Sequence, residues 1–107
     1  MISRTLATAT LKPMVLAILD GQPSYGYRII ARIRDLSEGR IEWTTGTLYP
    51  FLHGLENEGL VESFWQAVEN APRRKYYRLT PSGEKALETE RQQWQQVNAM
   101  LAPLLAV

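Results

Sequence analysis

The sequence contains no cysteine and a single histidine, His53. Without thiols there is neither a disulfide framework nor a thiolate zinc site, a composition that fits a reducing cytoplasm. A lone histidine builds no metal site and reads as a surface or groove-edge residue. Long apolar runs are missing: nothing approaches the roughly 18–20 residues of a membrane span. No basic segment followed by an apolar stretch marks a signal peptide. Nothing resembles a glycine-rich phosphate loop, a metal cluster or an activated nucleophile, so the expectation is a protein without cofactor, metal or enzymatic activity. Charge of one sign is scarce too. The 12 Lys+Arg oppose 11 Asp+Glu, a net charge of +1, so affinity for nucleic acid has to come from where the charges sit.

What is present is 107 residues, 45% hydrophobic and 21% charged. That suffices for one folded unit with a modest core, which a partner subunit would help to stabilise. The charges are clustered. Arg73, Arg74, Lys75 and Arg78 crowd one short stretch, and Arg28, Arg32 and Arg34 another. Acids gather at Glu56, Glu58 and Glu62, and again at Glu84, Glu88 and Glu90.

The chain is organised around Thr44–Val61. Leu48, Leu52 and Leu55 recur at i, i+4, i+7 beside Phe51, the buried stripe of a helix. Thr44 or Thr45 is expected to cap its start with a hydroxyl. Gly59 is expected as the left-handed stop, with Leu60 folding back towards Leu55. Ahead of it, Thr10–Leu19 reads as a first helix with Thr10 as N-cap and Pro13 in its first turn, leaving Met1–Ala9 as an arm or an extra turn. Ser24–Leu36 reads as a second helix, with Ser24 as N-cap and Tyr25, Ile29, Ile33 and Leu36 on its buried stripe. Gly26 permits another helix to approach closely. Ile41 and Trp43 alternate with Glu42 as a short strand would.

After the central helix, Val61–Gln66 and Lys75–Thr80 read as a hairpin. The loop is AVENAPRR (67–74), with Arg73, Arg74 and Lys75 at its tip and re-entry. The strand at Ile41–Trp43 is expected to complete a three-stranded sheet. Thr80 and Pro81 then open a last helix, Ser82–Ala102, which Pro103 ends. Along it runs a heptad-like seam, Leu87, Glu90, Trp94, Val97, Leu101 and Leu104. The helix projects beyond a small core, so the seam needs another chain. Leu104–Val107 is expected as a short apolar tail against that partner. The fold class is therefore mainly α with a small β-hairpin wing: a winged helix-turn-helix over residues 1–80 and a C-terminal dimerisation helix over residues 81–107, packed as one unit.

Three segments, in order, carry a family resemblance: VLAILDGQPSYGYRI (15–29), GTLYPFLHGLENEGLV (46–61) and RRKYYRLTPSG (73–83). Together they strongly resemble the PadR-like transcriptional regulators. The resemblance implies a dimeric winged-helix protein that binds double-stranded DNA, in most members as a repressor, some of which respond to small aromatic or drug-like ligands. It also implies that Tyr49 donates its hydroxyl to a phosphate.

On that reading the front of the recognition helix, Thr45, Thr47, Tyr49, Pro50 and His53, faces the major groove, while Glu56 and Glu58 turn its rear away from phosphate. Arg73, Arg74 and Lys75 on the wing hold flanking phosphates or the minor groove; their alternative role is to protect an edge strand from aggregation. Ser24, Tyr25, Arg28 and Arg32 meet the DNA backbone, unless the arginines form only a solvated face. Leu87, Trp94, Val97, Leu101 and Leu104 form the dimer interface. Trp94 has two readings, an anchor in the seam or a wall of an effector pocket between subunits. A winged-helix adapter that binds protein instead of DNA is the competing function. It draws on the near-neutral net charge and the acids on the recognition helix.

Overall fold

The computed structural model describes residues 2–106; Met1 and Val107, at the ends of the expected arm and tail, lie outside them. In chain order the elements are α1 (Arg4–Ile18), β1 (Ser24–Tyr25), α2 (Gly26–Leu36), α3 (Thr45–Asn57), β2 (Val61–Val68), β3 (Ala71–Leu79) and α4 (Pro81–Leu105). The strands form one antiparallel sheet in the order β1-β3-β2. Among the described residues no helix is long and apolar enough to cross a membrane.

The core lies where the helical stripes meet the inner face of the sheet. Val15 and Leu16 of α1, Ile29 and Ile33 of α2, Leu48 and Leu52 of α3 and Tyr77 of β3 are all buried. Each such side chain contributes about 1.5–3 kcal/mol through burial, so the i, i+4 spacing in α3 is what fixes that helix against the other two. Its stop is a Schellman motif. Gly59 adopts φ 77°, the Leu60 N–H donates to the Leu55 carbonyl at 2.9 Å, and the Gly59 N–H donates to Glu56 at 3.0 Å. At its start Thr44 is the N-cap residue, but its hydroxyl lies 3.5 Å from the Thr47 hydroxyl and caps no backbone N–H. The expected hydroxyl cap is absent, and the first N–H groups of α3 stay open.

Several boundaries differ from the sequence expectation. α1 begins at Arg4, where the Ser3 hydroxyl accepts from the Leu6 N–H at 3.2 Å. Thr10 lies inside it and donates its hydroxyl to the Ala7 carbonyl at 2.7 Å, so a threonine satisfied by the preceding turn resembles a cap in sequence without being one. Ser24 is likewise no cap: it belongs to β1 and pairs with Tyr77, while the N-cap of α2 is Tyr25, without a side-chain capping bond. Leu36, at the end of α2, is exposed because the helix overruns the edge of the core.

The third strand is thus Ser24–Tyr25, and Ile41–Trp43 joins no ladder. Ile41 and Trp43 alternate because both are buried from an extended segment, held where the Ile41 N–H donates to the Ser37 hydroxyl at 2.9 Å. The hairpin strands are longer than expected. They meet across a tight turn at Glu69–Asn70, with Asn70 at φ 56° and a register shift between Gln66 and Val68. Asparagine tolerates this left-handed conformation.

α4 grows out of the α3 stop. The Thr80 hydroxyl accepts from the Gly83 N–H at 3.0 Å and donates to the Gly59 carbonyl at 2.6 Å. Gly83 is buried, and a Cβ there would fall onto the Leu60 carbonyl oxygen, which explains a glycine where a capping box would carry Glu. The helix then runs through Pro103 to Leu105 and stops at Ala106, which is left-handed. Pro103 therefore does not end it: the one bond it removes lies near the exposed helix end, where water replaces the partner. At 25 residues α4 is about 37 Å long, in a molecule measuring 51 × 30 × 21 Å. Its last turns carry Met100, Leu101, Leu104 and Leu105 on open surface.

Candidate nucleic-acid interface

The register of the sheet sorts the wing residues by face. Glu62 opposes Arg78, Ser63 opposes Tyr77, Phe64 opposes Tyr76, Trp65 opposes Lys75 and Gln66 opposes Arg74. Side chains alternate along a strand and directly opposed residues share a face. Ser63, Trp65, Arg73, Lys75 and Tyr77 therefore lie on the inner face, towards α3, where the Ser63 hydroxyl donates to Glu56 Oε2 at 2.6 Å. Phe64, Arg74, Tyr76 and Arg78 lie on the outer face. The three wing cations are not at a loop tip, as expected, but inside β3, and they divide between two faces.

Both faces hold their cations on aromatic rings. On the inner face Arg73 sits over Trp65 at 5.5 Å and Lys75 over Tyr77 at 5.7 Å. On the outer face Tyr25 meets Tyr76 edge-on at 5.3 Å, and Phe64 stacks on Tyr76 at 5.7 Å. Arg74 lies 4.4 Å and Arg28 5.0 Å from the Tyr25 ring centre. Arg28 is fixed further by hydrogen bonds from Nε to the Ser24 hydroxyl, 2.9 Å, and from its guanidinium to the Pro23 carbonyl, 2.7 Å. A ring face or a neutral oxygen orients a cation without cancelling its charge. Among the described residues Arg28, Arg73, Arg74 and Lys75 have no carboxylate in salt-bridge range, whereas Arg78 pairs with Glu62 at 2.7 Å and Arg91 with Asp20 at 3.1 Å. Four cations without a carboxylate partner thus lie together on the wing and the start of α2, in a chain of net charge +1.

The recognition-helix residues are less uniformly exposed than expected. Pro50 and His53 face solvent, and Thr45, Thr47 and Tyr49 are half-buried. The Tyr49 ring packs against Gly26, filling the space a Cβ would need and confirming the close approach that glycine permits. Burial, and secondarily the neighbouring Tyr27, raises the Tyr49 pKa above its usual 10.0. Tyr77 is raised as well, by burial first, then by Glu56 and Tyr49. Between α3, the start of α2 and the inner wing face lies an open cleft of about 500 Å³, lined by Tyr27, Tyr49, His53, Trp65, Arg73 and Lys75 among others.

Two expected roles do not fit these positions. The Ser24 hydroxyl is buried and already accepts from Arg28, so it orients that arginine and cannot itself reach a phosphate. Leu87 is buried in the chain's own core, where the first turns of α4 pack, and offers a partner no surface. Trp94 is half-buried, Val97, Leu101 and Leu104 are exposed, and Arg32 is exposed on α2 beside Arg28. Tyr27 and Trp65, both more than half exposed at the cleft, were not expected there. The alternation of Trp65 along its strand was the only available signal.

The matching family model, the transcriptional regulator PadR-like family, covers residues 15–89. A transcriptional regulator of Mycobacterium tuberculosis is 43% identical over 58 residues, which is 54% of this chain and 53% of that one. Among solved structures, a PadR family transcriptional regulator from Eggerthella lenta superimposes with a TM-score of 0.80 at 34% identity, over 94% of this chain and 86% of that one. A PadR-like transcriptional regulator from Bacillus cereus does so with a TM-score of 0.83 at 28% identity, over 94% and 96%. The winged-helix architecture, the motifs and these similarities agree: the chain belongs to the PadR-like family of transcriptional regulators and is not an enzyme.

Proposed function

We propose that this regulator is a cytoplasmic, homodimeric repressor that binds a pseudo-palindromic operator. The observation that carries the proposal is the set of oriented, uncompensated cations, Arg28, Arg73, Arg74 and Lys75, flanking the front of α3 in a chain of almost no net charge. α3 enters the major groove with Thr45, Thr47, Pro50 and His53. Its uncapped first turn and the Tyr49 hydroxyl meet the adjacent phosphates. Arg73, Arg74 and Lys75 follow the flanking backbone or minor groove, and Arg28, supported by Ser24 and Tyr25, holds the backbone together with Arg32. Two copies joined along α4 through Trp94, Val97, Leu101 and Leu104 present their α3 helices about 34 Å apart, one turn of DNA.

Release by a small aromatic effector belongs to the same proposal. If the effector sits between subunits, Trp94 is the ring that stacks on it. The test of the whole reading is fluorescence anisotropy with labelled duplex from upstream of the protein's own gene, against scrambled duplex, over a salt series. A preference of about 10³ and a steep fall of affinity with salt support a sequence-specific regulator. Absence of binding even at low salt would sink it and favour an adapter that docks on protein.

A further inference from the structure

The cleft between α3 and the wing has more apolar ring surface than a phosphate contact requires. Tyr27 is 68% and Trp65 58% exposed at its rim, and Tyr49 lines its floor. Large aromatic side chains left open beside cations are the arrangement on which nucleobases stack. Arg73 and Lys75, the two inner-face cations of the wing, line the same cleft, and no carboxylate among the described residues does. Two uncompensated cations match the double negative charge of a phosphate monoester better than the single charge of a carboxylate. The volume, about 500 Å³, lies within the range of small-ligand sites. We infer that this cleft binds a free mononucleotide, its base stacked on the exposed rings and its phosphate held by Arg73 and Lys75. Because the same cations serve the DNA backbone in the function proposed above, nucleotide and operator exclude one another. That last step rests on the DNA-binding reading; the nucleotide site itself does not. The mechanism is then direct competition at the reading head, without a change transmitted through α4.

The three tryptophans report on separate places: Trp65 at the cleft, Trp43 buried behind α1 and Trp94 on α4. Their indole N–H resonances are followed while AMP, adenosine or inorganic phosphate is added to the full chain. The expected result is a saturable shift of Trp65 with AMP, at concentrations about tenfold below those at which adenosine or phosphate alone acts. Lys75→Gln weakens AMP about tenfold and leaves adenosine unchanged. Tyr27→Ala, at a position too exposed to threaten folding, weakens AMP and adenosine alike. The apparent Kd for operator duplex rises in proportion to AMP. The inference is overturned if Trp94 moves instead of Trp65, if phosphate alone matches AMP, or if only duplex DNA moves Trp65. If AMP shifts Trp65 but no duplex binds at any salt, the nucleotide site stands and the operator reading fails. If duplex binds and AMP leaves Trp65 unmoved, the reverse holds.

Discussion

Arg74 offers the sharpest test of how the wing works. Its guanidinium is fixed 4.4 Å from the Tyr25 ring centre and has no carboxylate partner among the described residues. Arg74→Gln removes the charge while keeping a polar side chain of similar reach. The folding cost is that of one half-buried cation–π contact, about 1–2 kcal/mol, below the roughly 5–15 kcal/mol that holds a domain folded. Any larger effect on DNA is therefore an effect of charge. Each neutralised phosphate contributes about 0.9 to the slope of log K against log salt. A dimer loses two such contacts, so the slope should flatten by about 1.8. Between 50 and 200 mM salt the ratio of wild-type to variant affinity should then shrink about 12-fold, the deficit being greatest at low salt. The deficit should be the same for operator and scrambled duplex, since a phosphate contact carries no sequence information. The internal control is Arg78→Gln, on the same face of β3 but neutralised by Glu62 at 2.7 Å, which should leave the slope nearly unchanged. Anisotropy titrations at four or five salt concentrations, with circular dichroism to verify folding, suffice. An unchanged slope for Arg74→Gln, or equal flattening by Arg78→Gln, refutes the reasoning.

Leu101→Glu, at a position 42% exposed on α4, should leave the monomer folded and convert a dimer to monomer at micromolar concentration, read by light scattering; a persistent dimer locates the interface elsewhere. Gly83→Ala drives a methyl group onto the Leu60 carbonyl and should cost roughly 1–3 kcal/mol in urea unfolding, whereas a value near zero means that the α3–α4 junction yields freely. Tyr49 and Tyr77, raised above the usual 10.0 mainly by burial, should ionise above the ordinary tyrosine value in an absorbance titration at alkaline pH. Since the folded state holds those protons more tightly, their contribution to stability is complete below pH about 10 and is lost as pH rises through the folded values. Unfolding midpoints that stay flat across that range would contradict the raised values.

What could be read in the sequence was what is local. α3 was legible almost residue by residue, because its stripe and its glycine stop are written within the helix itself. Where two segments offered the same local signal, the choice was made by distant partners. Ile41–Trp43 has the alternation of a strand, but Tyr76 and Tyr77 pair with Ser24–Tyr25 instead. Ser24 and Thr10 have the chemistry of caps, but one is claimed by a ladder and the other by the preceding turn. The wing cations were found as a cluster, yet their division between faces depended on strand boundaries, since a shift of one residue inverts every face. Leu87 and Leu101 belong to the same apparent seam. Only the point where α4 leaves the core makes the first internal and the second free.

The distribution of charge also bears on why two copies would be needed. α3 itself contributes no lysine or arginine between Thr45 and Asn57, so it can discriminate among bases without adding much affinity. Its acid Glu56 is engaged within the fold, accepting from the Ser63 hydroxyl at 2.6 Å. In the proposed complex, electrostatic affinity would therefore rest on Arg28, Arg32, Arg73, Arg74 and Lys75. One copy would neutralise roughly five phosphates, short of a range of about 6–10 contacts. Two copies would reach that range, so an α4 seam would set DNA affinity as well as spacing. On this argument Leu101→Glu should not merely halve binding. It should lower the salt slope to about half and take affinity at physiological salt into the nonspecific range of about 10⁻⁴–10⁻⁶ M. A monomeric variant that kept the wild-type slope would mean that a single wing and α2 engage more phosphates than their uncompensated cations can account for.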